Sequence, residues 1–151
     1  MSRRQPPHTA PLPRAVFVDS SIFYVLVDQR QDEHQDATKL FDALIRSRAR
    51  IVTTNFILAE SHALILGRTK RPDKGRDFLV STYNSKLVEL VWVTKADEQK
   101  ALDIISRYQD KEWSFTDATS FVVMENLSIT HVLSLDPDFN HYGFVSVPLK
   151  Q

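Results

Sequence analysis

Short apolar runs of strand composition alternate along this chain with stretches whose apolar residues recur every three or four positions. That alternation limits what the chain can fold into. Ala15–Val18 (AVFV), Arg50–Thr54, Leu87–Val93, His131–Leu135 and Phe144–Val147 have the length and β-branched content of strands. Between them, the spacing predicts a turn or two of helix after Asp19 and an amphipathic helix over Asp36–Ser47. Further helices are predicted from Asn55 to Gly67, from the polar break at Arg68–Arg76 through Tyr83, from Thr94 through Tyr108, and over Thr116–Asn126. Such strand–helix alternation argues for βαβ units around a mainly parallel sheet.

At 151 residues the chain is about one domain long, with 42% hydrophobic and 25% charged residues, as in a soluble globular protein. Residues 1–14 (MSRRQPPHTAPLPR) hold four of the seven prolines and no acid, and read as a flexible, proline-rich basic tail. The domain is expected over residues 15–151. No run of about 20 apolar residues is present, and no secretory h-region, so the expected location is the cytoplasm, away from membranes. The absence of cysteine rules out disulfides and thiolate metal sites. With only Gly67, Gly75 and Gly143 available, neither a P-loop nor a dinucleotide fingerprint can be built. Net charge is zero, and beyond residue 14 there are 16 basic against 19 acidic residues. Any nucleic acid would therefore have to be held by a local basic patch.

Four carboxylates stand out by position. Asp19 ends the first apolar strand and Asp136 the HVLSL strand. Glu60 falls on the apolar face of its helix with Ile57, Ser61 and Leu64. Asp117 opens the buried helix of Ala118, Phe121, Val122 and Met124. Each has a structural alternative: an N-cap for Asp19, a buried ion pair with an arginine for Glu60, a capping box with Ser114 for Asp117, and a cap or turn before Pro137 for Asp136. Asp138 could assist Asp136. Brought together, four acids repel one another unless a divalent cation neutralises them, and all-oxygen ligands select Mg²⁺ or Mn²⁺. Such a centre can polarise a phosphodiester and activate water, which leaves His62, His131 and His141 without a necessary part.

Taken in order, Val18–Ser21 (VDSS), Thr53–Ser61 (TTNFILAES), Ser114–Phe121 (SFTDATSF) and Leu133–Phe139 (LSLDPDF) resemble the motifs of PIN-domain nucleases. The resemblance is closest to VapC-type toxins of bacterial and archaeal toxin–antitoxin pairs, and it covers about residues 15–148. It implies a three-layer α/β/α sandwich and an endoribonuclease using Mg²⁺ or Mn²⁺. The acids carried over are Asp19, Glu60, Asp117 and Asp136, with Ser20 and Ser134 supporting the first and last. It further implies a structured RNA substrate such as tRNA, a homodimer, and an antitoxin protein that blocks the pocket. Arg68, Lys70, Arg71, Lys74 and Arg76 are the candidate RNA-binding rim, with a solvated helix connection as their structural alternative. Two other functions are weighed. A haloacid-dehalogenase-type phosphatase needs a second aspartate two residues after the first, where this chain has Ser21. A non-catalytic RNA- or protein-binding module of the same fold would bind no divalent metal.

Overall fold

The computed structural model describes residues 11–150. The sequence-based tail therefore lies mostly outside the described residues. Of its last four positions, Leu12 packs against the core and the Arg14 carbonyl accepts the Arg50 amide at 2.8 Å.

The elements run β1 (Ala15–Val18), α1 (Ser20–Val27), α2 (His34–Arg46), β2 (Arg50–Thr54), α3 (Asn55–Thr69), α4 (Pro72–Tyr83), β3 (Val88–Val91), α5 (Lys95–Arg107), α6 (Phe115–Asn126), β4 (His131–Leu133), α7 (Asp138–Tyr142) and β5 (Val145–Ser146). The five strands form one sheet in the order β3-β2-β1-β4-β5, and every pairing is parallel. Parallel strands need covered faces, and here they are covered. Val16, Phe17, Val18, Ile51, Val52, Val132 and Leu133 are all buried, with Phe17 in register with both Val52 and Val132. Right-handed crossovers put the helices linking β1 to β2 to β3 on one face, and those returning from β3 to β4 on the other. The packing follows: α1 lies against α2 and α3, α3 against α4, and α5 against α6. The result is the three-layer α/β/α sandwich. Strand order reverses between β1 and β4, and at such a switch point the carboxyl ends of the strands leave a crevice.

Several predicted boundaries shift, each for a local reason. Gly67 does not end α3. The helix continues to Thr69 and stops at Lys70, whose left-handed φ of 56° lets its amide reach the Leu66 carbonyl. Pro72 then opens α4, and a proline there cannot prolong α3. β3 ends before Trp92 because the Val93 amide is taken by the Asn55 side chain and Thr94 caps α5 with Asp97. β4 stops at Leu133, and the expected Asp136–Phe139 turn leads into the five-residue α7. No helix among the described residues is long and apolar enough to cross a membrane.

Candidate active site

Asp19 follows β1 directly and is 4% exposed. It stands at the N-cap position of α1, yet its side chain makes no capping bond, so the structural alternative for this residue is not realised. Its Oδ2 instead accepts from the Ser134 hydroxyl at 2.7 Å and the Ser21 hydroxyl at 3.3 Å. Its Oδ1 is buried and, among the described residues, has no hydrogen-bond donor. A buried carboxylate oxygen left unpaired is costly, and it calls for a proton or a cation. Burial pushes the Asp19 carboxyl above its ordinary value, and the charge of Glu60 adds to the shift.

Glu60, on α3, is half-buried rather than enclosed in the apolar stripe. Its partner is the Ser20 hydroxyl, which donates to Oε1 at 2.6 Å. Among the described residues no arginine pairs with it. Ser20 thus supports the second acid rather than the first, and Ser21 takes the place expected of Ser20 beside Asp19. Ser21 also accepts the Leu135 amide at 3.0 Å, tying α1 to the chain leaving β4.

Asp117 closes the capping box of α6: its amide bonds to Ser114 Oγ at 3.0 Å and its Oδ2 accepts the Ser114 amide at 3.1 Å. The structural alternative is therefore real here and coexists with the functional one. The residue is 9% exposed, and burial, with the charges of Asp19 and Asp136, pushes its pKa up to about 6 despite the capping bonds. Asp136 sits beyond β4. Its amide bonds to Ser134 Oγ, and its Oδ1 accepts the Asp138 amide at 3.0 Å in an Asx turn. Oxygens of Asp117, Asp136 and Asp138 lie within 4.8 Å of one another. Asp138 is thereby closer to the centre than a bystander, and its pKa is raised by burial and by Asp136.

Asp19, Glu60, Asp117 and Asp136 line one cleft of about 480 Å³ at the β1/β4 switch point. Four segments far apart in sequence deliver them, and Ser134 joins two by bonding Asp19 and the Asp136 backbone at once. The donors are all oxygen and partly buried, Asp117, Asp136 and Asp138 are crowded, and Asp19 Oδ1 lacks a donor among the described residues. That is the chemistry of a site for a hard divalent cation.

The predicted basic rim divides. Arg68 lines the cleft, its guanidinium 4.8 Å above the Tyr24 ring. Arg71 is paired with Asp73 at 2.6 Å, and Arg76 leans toward Asp77 at 3.7 Å. Lys70 caps α3, and Lys74 lines a different groove with Gln29 and Phe78. Sequence reasoning missed a second group on the same wall. Tyr24 donates to Asp28 Oδ2 at 2.7 Å, Asp28 is wholly buried, and Arg30 grips Asp28 with two bonds of 2.9 Å. The i, i+4 spacing of Tyr24, on α1, and Asp28, its C-cap, was the available signal.

A family model described as "PIN domain" matches residues 16–145. The 23S rRNA-specific endonuclease VapC20 of Mycobacterium tuberculosis is 30% identical over 132 residues, which is 87% of this chain and 97% of that protein. A VapC ribonuclease of Archaeoglobus fulgidus is 28% identical over 128 residues, covering 83% and 80% respectively. The crystal structure of M. tuberculosis VapC20, described as a sarcin–ricin loop cleaving toxin, superposes with a TM-score of 0.78 over 87% of this chain and 98% of that one. FitAcB from Neisseria gonorrhoeae, at 13% identity, shares the fold with a TM-score of 0.66 over 89% of this chain and 97% of that one.

Proposed function

This chain belongs to the PIN domain family, and from that premise we propose that it is a divalent-metal-dependent endoribonuclease of the VapC toxin type. The observation that carries the reading is the buried, donor-less Oδ1 of Asp19, in a cleft shared with three more acids. Asp19, Glu60, Asp117 and Asp136 would hold Mg²⁺ or Mn²⁺, with Asp138 beside them. A cation bound there supplies a Lewis acid for a phosphodiester oxygen and lowers the pKa of the attacking water.

The chain's own groups do the rest. Ser134 and Ser21 fix the Asp19 carboxylate through Oδ2, and Oδ1 is left without a donor among the described residues. Ser20 orients Glu60, and the Ser114 cap fixes Asp117 at the helix end. Fixed ligands need no rearrangement when substrate arrives.

The substrate class in this reading is structured RNA. VapC20, a 23S rRNA-specific endonuclease, adds ribosomal RNA to tRNA as a class to test. An antitoxin that covers the cleft and a homodimeric state belong to the same proposal, and follow from the toxin resemblance. The phosphatase alternative finds no acid/base group, because the hydroxyl of Ser21 is engaged with Asp19 and Leu135.

The test combines Mn²⁺ calorimetry with cleavage of total tRNA and of 23S rRNA, with and without EDTA, for wild type and Asp117→Asn. Wild type should bind Mn²⁺ and cut in an EDTA-sensitive way, and the variant should lose most of both. Equal cutting by the two proteins would refute the assignment. A wild type that binds no metal would favour the non-catalytic module.

A further inference from the structure

We propose that Arg68, laid over Tyr24, anchors a backbone phosphate of the RNA strand neighbouring the one that is cut. This rests on the ribonuclease reading above. Glu60, Leu64 and Arg68 recur every four residues on α3 and all line the cleft, so one helix face presents an acid, an apolar step and a cation in a row. Eight residues of helix separate Glu60 from Arg68 by about 12 Å along the axis. The Arg68 guanidinium lies over Tyr24 and makes no ion pair with the acids, which leaves it for a phosphate next to the one held there.

Among the described residues Arg68 is the one cation lining this cleft, where the other charged walls are carboxylates. It is exposed, and among the described residues it has no ion pair, unlike Arg71 and Arg76. Its Cζ lies over the Tyr24 ring, 4.8 Å from the centroid. A guanidinium held on a ring by cation–π attraction keeps N–H donors for phosphate oxygens.

Tyr24 is the positioning residue. The ring is 3% exposed, its hydroxyl donates to Asp28, and the Gln31 amide donates to that hydroxyl at 3.0 Å. Asp28 is in turn pinned by Arg30. The platform under Arg68 is thus fixed at its far end before any substrate binds.

Two measurements on wild type, Arg68→Ala, Arg68→Lys and Tyr24→Phe test this. The first is fluorescence anisotropy of a short fluorescein-labelled oligouridylate in EDTA across a salt series. The second is steady-state cleavage of an oligoribonucleotide spanning the cut mapped in tRNA or 23S rRNA. Arg68→Ala should weaken oligouridylate binding and raise KM about tenfold, with kcat changed by less than about threefold. The slope of log affinity against log salt should become shallower by about 0.7, as for one lost phosphate contact on a single strand. Lysine should restore the slope but only part of the affinity. Tyr24→Phe should raise KM by about twofold to threefold while keeping the slope. Unchanged affinity and slope in Arg68→Ala would overturn the proposal, as would a kcat loss equal to the loss in kcat/KM. A wild type that binds through Arg68 yet never cleaves would overturn the nuclease reading and leave the anchor standing.

Discussion

One carboxylate oxygen of Asp117 accepts the Ser114 amide while the residue faces Asp19 and Asp136. Asparagine keeps an oxygen for that capping bond and removes the charge. Asp117→Asn should therefore fold normally and melt a few degrees higher than wild type at pH 7.5 without metal, while losing at least about 100-fold in activity. Calorimetric melting and the RNA assay read the two effects together. The same residue sets the pH behaviour of the metal-free protein. Its folded pKa of about 6 lies above the ordinary aspartate value of 3.8, so the folded state holds the proton more tightly. The resulting stability is complete below 3.8 and is lost as pH rises through 6, which makes the protein about 1 kcal/mol more stable at pH 5 than at pH 7.5. Asp19 pushes in the same direction. Asp28, held well below the usual carboxylate range by Arg30, gives stability that is present above its unfolded pKa and lost only at more acidic pH, so it does not mask the effect at pH 5. Chemical denaturation at the two pH values, in EDTA, checks the sign. Ser134 is a different kind of test, since its hydroxyl serves Asp19 and the Asp136 backbone together. Ser134→Ala should cost about 10–100-fold in Mn²⁺ affinity or cleavage, with little change in melting.

At the scale of elements, the site depends on pieces too short to stand alone. α7 has five residues, far below the length at which a helix is stable in water. It persists because Phe139 is fully buried, with ring contacts to Phe17, Phe121 and Phe144, while Tyr142 stacks on Phe121 at 4.3 Å. That aromatic cluster ties α6, which carries Asp117, to the segment that carries Asp136 and Asp138. Phe139→Ala should lower unfolding free energy by about 3–5 kcal/mol in urea titration, and it should weaken Mn²⁺ binding through the displaced acids. This dependence explains what the sequence shows and what it hides. Apolar runs announced β1 and β2, because buried parallel strands must be apolar on both faces. Ser114 and Thr94 announced the starts of α6 and α5 through capping chemistry that is local in sequence. The acids were legible for the same reason, as charges at the ends or faces of apolar elements. The pairings were not: Ser20 with Glu60 and Ser134 with Asp19 join positions 40 and 115 residues apart, which no local pattern records. Gly67 misled because glycine near a helix end resembles a stop, whereas Pro72 and a left-handed Lys70 set the true one.

For the molecule as a whole, the charge distribution would make a bound cation a structural partner as well as a reagent. Net charge is zero, yet among the described residues the cleft at the switch point gathers Asp19, Glu33, Glu60, Asp117 and Asp136 against a single cation, Arg68. Without a cation the fold carries their mutual repulsion, and its field turns a phosphate away from the place where it must react. Binding a divalent ion to the folded state only, since the unfolded chain disperses these acids, must raise stability by mass action. At a free Mn²⁺ concentration of 100 times Kd the gain is about 2.7 kcal/mol, which for a chain of this size raises the melting temperature by roughly 5–10 °C. Protons compete for the same oxygens. The gain should be full at pH 7.5, begin to shrink near pH 6 where Asp117 takes its proton, and fall to about half at pH 5. Scanning calorimetry with Mn²⁺, with Mg²⁺ and with EDTA at the three pH values distinguishes this from a nonspecific salt effect. Screening alone would be matched by sodium chloride of equal ionic strength, and that result would mean that the acids hold no metal.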